Sequence, residues 1–463
     1  MSQTPRITLD ILRKYDRPGP RYTSYPTAVE FHEGFDAPAY LERLAGANRQ
    51  NAPLSLYAHL PFCEHRCAFC GCHVVITKER AVVDKYLERL HREIDMLAEH
   101  LPDRRRVTQH HWGGGTPTHL EPDQIEALYR KITGHFELDP TGEIAIEADP
   151  RVTTRAQIDL LRAIGFNRVS MGVQDFDPEV QVAIDRNQSE AQSRELYDYC
   201  RSKDFHSINI DLIYGLPKQT IEHFSDTIRS VIRMRPDRVA LYSFAHIPWK
   251  SAQQKWIDPS DLPAPELKLA LFVAARDLFL DAGYAEIGMD HFAVPEDELA
   301  TARRDRRLHR NFMGYTVKMG TDMLAVGVSG IGDVQGAFAQ NEKKLSSYYA
   351  ALDAGKFPIE RGYALDADDL LRREFITRLM CNLWVDVREI EREFGISFAE
   401  YFAAELAELN RPDGPVEHGF VEIAPDHVEV LGLGRFFVRN IAMTFDRYLK
   451  SKLGEKPMFS RTV

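Results

Sequence analysis

Between residues 54 and 290 short apolar runs of strand character alternate with longer stretches of helical periodicity, and this alternation restricts the fold more than any other feature. The strand candidates are LSLYAHL from Leu54, RVTQHHW from Arg106, EIAIEAD from Glu143, RVSMGVQ from Arg168, SINIDLIYG from Ser207 and RVALYSFA from Arg238. Between them apolar residues recur at three and four positions, as Ile125, Leu128, Tyr129 and Ile132 do, which sets them on one helix face. Strands joined by helical crossovers pair in parallel. Six such units fall short of the eight of a closed barrel, so the expected class is α/β, as a partial barrel or an open doubly wound sheet.

Both architectures bind ligands beyond the carboxyl ends of the parallel strands. Special residues recur at those ends. A loop holding Cys63, Cys67, Cys70 and Cys72 follows the first strand, and Gly113-Gly114-Gly115-Thr116-Pro117 follows the second. Glu147 lies on the third, Gln174 ends the fourth, Asp211 lies in the fifth and Ala245 closes the sixth.

The expected organisation is an N-terminal arm over 1–48, rich in Pro, Tyr and Arg, a core over 49–300, a connecting segment completing the active site over 301–364, and a helical C-terminal domain over 365–463. With 58 basic and 69 acidic residues and no terminal basic block, nucleic acid is not an expected partner. No apolar run has signal-peptide or membrane-span length, which requires about 18 residues for a span, so a cytoplasmic protein without a membrane partner is expected.

Four of the six cysteines crowd into residues 63–72, which is no disulfide framework for a chain this long. Thiolates suit iron–sulfur clusters or zinc. Cys63, Cys67 and Cys70 have a three-two spacing that lets one loop converge on one object and, on a cubane, leaves one iron open to a small chelating molecule. A structural zinc wants four ligands, and Cys72, His65 or His73 could supply the fourth. Cys200 and Cys381 stand alone in helical patterns and read as buried small hydrophobes.

Cys-x3-Cys-x2-Cys after a first strand, with Phe69 before the third cysteine, resembles the radical S-adenosylmethionine superfamily. Cys70-Gly71-Cys72, the segment PGPRYTSYPT from Pro18, and the stretches YAHLPF, HWGGGTPT, IEADPR, MGVQDF, IDLIYGLP, RNFMGYT and RNIAMTFD sharpen this into a resemblance to the oxygen-independent coproporphyrinogen III oxidase family over nearly the whole chain. The resemblance implies a partial (β/α)6 barrel of the radical S-adenosylmethionine type with an N-terminal arm and a mostly helical C-terminal domain. It implies one 4Fe-4S cluster on Cys63, Cys67 and Cys70, with S-adenosylmethionine against Tyr57, Gly114, Glu147 and Ile331. A second S-adenosylmethionine would lie against Phe69, Gly115, Thr116, Gln174, Arg186, Asp211 and Ala245.

The implied reaction is oxidative decarboxylation of two propionates of coproporphyrinogen III to vinyl groups, through a 5′-deoxyadenosyl radical, giving protoporphyrinogen IX for haem. It needs no acid or base, and it needs an electron donor such as flavodoxin or ferredoxin. A monomer is expected.

Read from chemistry alone, the glycines suit close backbone approach or a tight turn. Glu147 and Asp211 suit ribose hydroxyls, an ammonium or a salt bridge, and Arg186 could pair with Asp185. Cys72 and His59 are either auxiliary groups near the cluster or bystanders. Four propionates call for cations, and Arg21 and Arg310 are candidates, the latter within the run Arg303, Arg304, Arg306, Arg307. Tyr22 and Tyr25 suit either a flat macrocycle or packing of the arm. The rival from another class is the related haem chaperone, which lacks the Cys72 equivalent and the PGPRYTSYPT arm.

Overall fold

Each of the six apolar runs is a strand in the computed structural model, which describes residues 9–317, 322–451, 459 and 461. These are β1 (Leu54–Leu60), β2 (Arg106–Gly114), β3 (Glu137–Ala148), β4 (Arg168–Gln174), β5 (Ser207–Tyr214) and β6 (Arg238–Ser243). The third starts before its apolar run, and the sixth stops at Ser243, so Ala245 lies in the following loop and does not close the strand.

Neighbouring strands from β1 to β6 pair in parallel and in sequence order. The order never reverses, which excludes the doubly wound alternative and leaves a singly wound, barrel-like sheet. The sheet is not closed. Its far edge carries β7 (Ala285–Gly288) and β8 (His291–Ala293), both antiparallel. The near edge carries β9 (Asp322–Val326), parallel to β1, then antiparallel β10 (Ile331–Asp333), β11 (Ala337–Asn341) and β12 (Ile359–Ala364). Among the described residues this sheet has twelve strands. Sequence periodicity gave no sign of β9 to β12, which are only three to six residues long.

Helices α1 (Leu9–Tyr15) and α2 (Ala37–Asn48) precede β1, the short α6 (Pro178–Ala183) follows β4, and helices on one face cover the parallel strands: α3 (Arg80–Glu99), α4 (Pro122–Thr133), α5 (Arg155–Ala163), α7 (Glu190–Ser202), α8 (Ile221–Met234) and α9 (Pro265–Asp281). Helix α4 buries Ile125, Leu128 and Ile132 as its spacing requires. Helix α5 begins at a capping box in which Thr154 and Gln157 satisfy each other's backbone N–H, an arrangement worth about 1 kcal/mol. Right-handed crossovers put these helices on the same side, leaving the opposite, concave face of the sheet for a ligand.

A second apolar cluster joins the arm to the C-terminal segment, bringing Tyr15, Tyr22 and Tyr25 against Phe375, Phe437, Ile441 and Phe445. The C-terminal segment is mostly helical with a small three-stranded sheet. Arg439 Nε donates to Pro20 O and Asn440 Nδ2 to Tyr15 O, so the arm is stitched down by backbone acceptors. No described helix is long and apolar enough to cross a membrane.

Candidate functional site

Alternation along the strands decides what faces the cavity. On β4, Val169, Met171 and Val173 are buried against the helices while Arg168, Ser170 and Gly172 are part-open on the concave side. The same period on β5 turns Asn209 and Asp211 inward, and Asp211 accepts hydrogen bonds from Asn209 Nδ2 (2.8 Å) and Ser170 Oγ (3.1 Å). Tyr57 of β1 stacks on His111 of β2, and His111 Nε2 lies 3.4 Å from the Glu147 carboxylate of β3. His111, Glu147, Ser170, Asp211, Tyr242 and Tyr315 line a cavity of about 130 Å³.

Glu147 also accepts from the Gly114 N–H at 3.0 Å, yet 41% of its side chain stays open to the cavity. Burial works to raise its pKa, but His111 and the Gly114 N–H outweigh it and hold the carboxylate below its ordinary value. Asp211 is moved the other way, up to about 7, by burial and by the nearby Glu147 charge.

The cysteine loop leaves the sheet after Leu60 and is pinned at several points. Cys63 pairs in register with Ile76, Cys70 N–H donates to Cys67 O, and Ala68 N–H donates to Ile184 O at 2.8 Å. Gln254 Nε2 donates to Phe69 O at 3.0 Å, and Gln253 Nε2 to Cys70 O. Cys63 Sγ lies 3.4 Å from Thr116 Oγ1, in the turn after β2. The Cys72 thiol and its N–H donate to Cys70 and lower that thiol's pKa, helped by Arg186 and Arg66. Burial raises the Cys63 thiol to about 11.

Two arginines face the loop. Arg151 Nη2 and Arg186 Nη1 each lie 3.6 Å from Cys67 Sγ, and both grip Asp149, at 2.7 and 3.2 Å. Arg186 Nη2 also donates to Gly172 O at 2.7 Å. The pairing of Arg186 with Asp185 offered by their adjacency is therefore corrected: Asp185 pairs with His65 at 2.6 Å. Asp185 has a left-handed backbone that turns its side chain away from the cavity.

The glycines are cradle positions. A Cβ on Gly113 would stand 2.8 Å from the Glu147 carboxylate, and one on Gly115 2.5 Å from the Pro61 backbone. Gly114 has φ +118, and a Cβ there would meet the His59 ring at 2.5 Å. His59 donates Nε2–H to His73 O (3.2 Å), which leaves Nδ1 to accept from the Tyr57 hydroxyl (3.0 Å). Burial lowers its pKa to about 4. Gln174 ends β4 at φ 70, and Ile331 opens β10 just past the turn from β9.

Three thiols, two guanidinium groups on one sulfur and a glycine cradle beside an open carboxylate fit a cluster with a chelated small molecule. Ligands of one zinc ion stand about 2.3 Å from it. Among the described residues no three His, Cys, Asp or Glu side chains converge in that way. His65 is paired with Asp185 at 2.6 Å.

The expected substrate residues lie at the β6 side of the mouth. Arg21 pairs with Asp290 at 2.9 Å, and Arg310 donates to Arg21 O at 3.1 Å while its buried Nε has no hydrogen-bond partner. Arg21, Asp290, Arg435 and Arg439 line a small cleft of about 50 Å³. Tyr22 is placed elsewhere, packed under the C-terminal helices with its hydroxyl on Asp446 at 2.9 Å, so its contacts are those of the packing reading. Arg303, Arg304, Arg306 and Arg307 turn to Asn382 O, Asp305, the Trp384 ring and Asp305, away from the cavity. Sequence reading missed His111, Asp149, Arg151, Ser170 and Asn209. The strand period marks His111, Ser170 and Asn209, and IEADPR contains Asp149 and Arg151, but nothing local shows that the last two meet Cys67.

A singly wound parallel sheet with a three-cysteine loop after its first strand defines a radical S-adenosylmethionine protein, and the family model described as the radical SAM superfamily matches residues 57–231. The model described as the HemN C-terminal domain matches residues 365–437. The oxygen-independent coproporphyrinogen III oxidase of Pseudomonas aeruginosa is 43% identical over 465 residues, covering 100% of both chains. That of Escherichia coli is 44% identical, covering 98% of each. The solved structure of coproporphyrinogen III oxidase from Escherichia coli, described as a radical SAM enzyme, superimposes with a TM-score of 0.90, covering 96% of this chain and 100% of that one. The chain belongs to the oxygen-independent coproporphyrinogen III oxidase family.

Proposed function

We propose that this protein is the oxidoreductase that converts two propionate side chains of coproporphyrinogen III to vinyl groups, giving protoporphyrinogen IX in haem biosynthesis without oxygen. The observation that carries this reading is the likeness of 43% and 44% identity to two named oxidases over 100% and 98% of the chain, arm and C-terminal segment included. Cys63, Cys67 and Cys70 would hold a 4Fe-4S cluster, which when bound would supply the one-electron reductive chemistry that S-adenosylmethionine cleavage requires.

The chain's own residues bind, align and exclude water. Glu147 offers the open carboxylate and Gly114 the close backbone that a methionine ammonium or a ribose requires, with Tyr57 and Ile331 as apolar walls. Asp211, Gln174, Arg186, Phe69, Gly115, Thr116 and Ala245 are the proposed surroundings of a second S-adenosylmethionine. Arg151 and Arg186 place two guanidinium groups beside the Cys67 sulfur. Arg21 and Arg310 are the proposed partners of substrate carboxylates, and Cys72 and His59 are proposed auxiliaries. No side chain need move a proton in this reaction. The further proposals are a monomer in the cytoplasm and reduction by a flavodoxin or ferredoxin.

The test is anaerobic reconstitution with iron and sulfide, followed by S-adenosylmethionine, coproporphyrinogen III and a chemical reductant. Both 5′-deoxyadenosine and protoporphyrinogen are expected. Deoxyadenosine without decarboxylated product would keep the radical chemistry and reject the substrate.

A further inference from the structure

Buried polar atoms of a folded chain are almost all hydrogen-bonded, so an exception calls for a reason. Tyr315 is 6% exposed, and its hydroxyl has no hydrogen-bond partner. The side chain lines the central cavity beside His291 and Tyr242. Its place is made by a glycine, since a Cβ on Gly288 would stand 2.5 Å from the hydroxyl oxygen. Phenylalanine would fill the same space without the unmet donor, so packing does not account for the oxygen. Burial raises the pKa of the hydroxyl and keeps it a donor.

The residue opposite carries a second unmet donor. Arg310 and Tyr315 are directly paired in the hairpin of His309–Asn311 and Gly314–Thr316. Side chains so paired share a face with Cβ atoms about 5 Å apart, so one small group can reach both. The Arg310 guanidinium carbon lies 5.2 Å from the centroid of the Tyr315 ring. Its Nη1 is spent on Arg21 O, and its buried Nε donates to nothing.

The charges around this pair favour an anion. Arg310 forms no ion pair among the described residues, and Arg303 is a second cation acting on Tyr315. The carboxylate that acts on both Arg310 and Tyr315 is Asp290, and both its oxygens are engaged, Oδ2 by Arg21 at 2.9 Å and Oδ1 by His291 at 2.8 Å. Three acids line the cavity itself. Glu143 faces Arg168 at 3.5 Å, and Asp211 is pushed up to about 7. Glu147 faces His111 and the Gly114 N–H on β3, four strands across the sheet from His291. A cavity of about 130 Å³ admits one propionate arm and not a macrocycle.

We propose that the Tyr315 hydroxyl and Arg310 Nε together bind the carboxylate of one propionate arm of the substrate, which makes Tyr315 a specificity-determining residue of the central cavity. This rests on the proposed function and names the group that holds an arm inside the sheet. Hydrogen bonds to a carboxylate are about twice as strong as those to a neutral acceptor, so this pair selects an ionised arm. A vinyl group offers neither donor an acceptor. The subsite therefore holds arms that still carry a carboxylate and lets go of those already converted.

The probe is coproporphyrin III, the aromatic form of the substrate, titrated into cluster-loaded, full-length enzyme and followed by its fluorescence. Tyr315→Phe is expected to weaken its binding about tenfold or more, the effect of losing a hydrogen bond to a charged group. S-adenosylmethionine binding, read by calorimetry, should be unchanged. In turnover the KM for coproporphyrinogen III should rise by a similar factor while that for S-adenosylmethionine stays. Because the variant loses only an unmet hydroxyl, it should unfold, free of substrate, at the wild-type temperature or above. Wild-type affinity for coproporphyrin III in Tyr315→Phe overturns the proposal. A variant that unfolds earlier and loses both ligands together also overturns it, and marks the hydroxyl as a support of the fold. Wild type that takes up no coproporphyrin III and forms no product rejects the substrate itself, and the subsite with it.

Discussion

Replacing Asp211 by Asn tests the electrostatics of the cavity. The Asp211 carboxyl titrates at about 7 against an ordinary 3.8, because burial and then the Glu147 charge disfavour its ionised form. Folding therefore retains a proton that the unfolded chain releases, and stability is fullest below pH 3.8, falls as pH rises to 7 and is level above. About three pKa units at about 1.4 kcal/mol each put the cost near 4 kcal/mol at pH 8. Asn cannot ionise and removes it. Its amide can face Ser170 Oγ as donor while its oxygen still accepts from Asn209, so at most one neutral hydrogen bond, about 1 kcal/mol, is lost. The ligand-free variant should exceed wild type by about 3 kcal/mol at pH 8 and lose that advantage towards pH 4. Urea unfolding at pH 5, 6, 7 and 8 reads the difference. Parallel stability curves for the two proteins would refute the reasoning, and adding Glu147→Gln should shrink the gap.

Gly114→Ala forces an L side chain to φ +118 and into the His59 ring, and should destabilise the turn by about 2–4 kcal/mol and abolish S-adenosylmethionine binding by calorimetry. Gly71→Ala, which meets nothing within 4 Å, should leave binding intact. Arg186→Met breaks a buried pair, but Arg151 keeps Asp149 partnered, so the loss in thermal unfolding should be about 3 kcal/mol or less, with lower iron content after reconstitution. Cys63→Ser should lose the iron–sulfur absorption, whereas Cys200→Ser, deep in α7, should lower stability and keep it.

What the sequence determined by itself is local. The six parallel strands were legible because apolar runs of seven to nine residues separated by amphipathic helices have one economical arrangement, and the fold rule then sent the cysteine loop, the glycine turn, Glu147 and Gln174 to one edge. Tertiary structure decided the rest. Whether six strands wind in one direction or two depends on crossover placement, which no local pattern encodes. The short strands β9 to β12 exist because β1 offers them an edge. Arg186 chose Asp149 over its neighbour Asp185 because the left-handed turn at Asp185 points the two side chains apart while β3 and the cysteine loop bring Asp149 and Cys67 together. Tyr22 went to the C-terminal helices because apolar surface there needed covering. Residue type and spacing fix which chemistry a segment can hold, but which groups meet across a hundred residues is settled only by packing, since pairing energies there depend on burial and geometry that sequence does not state.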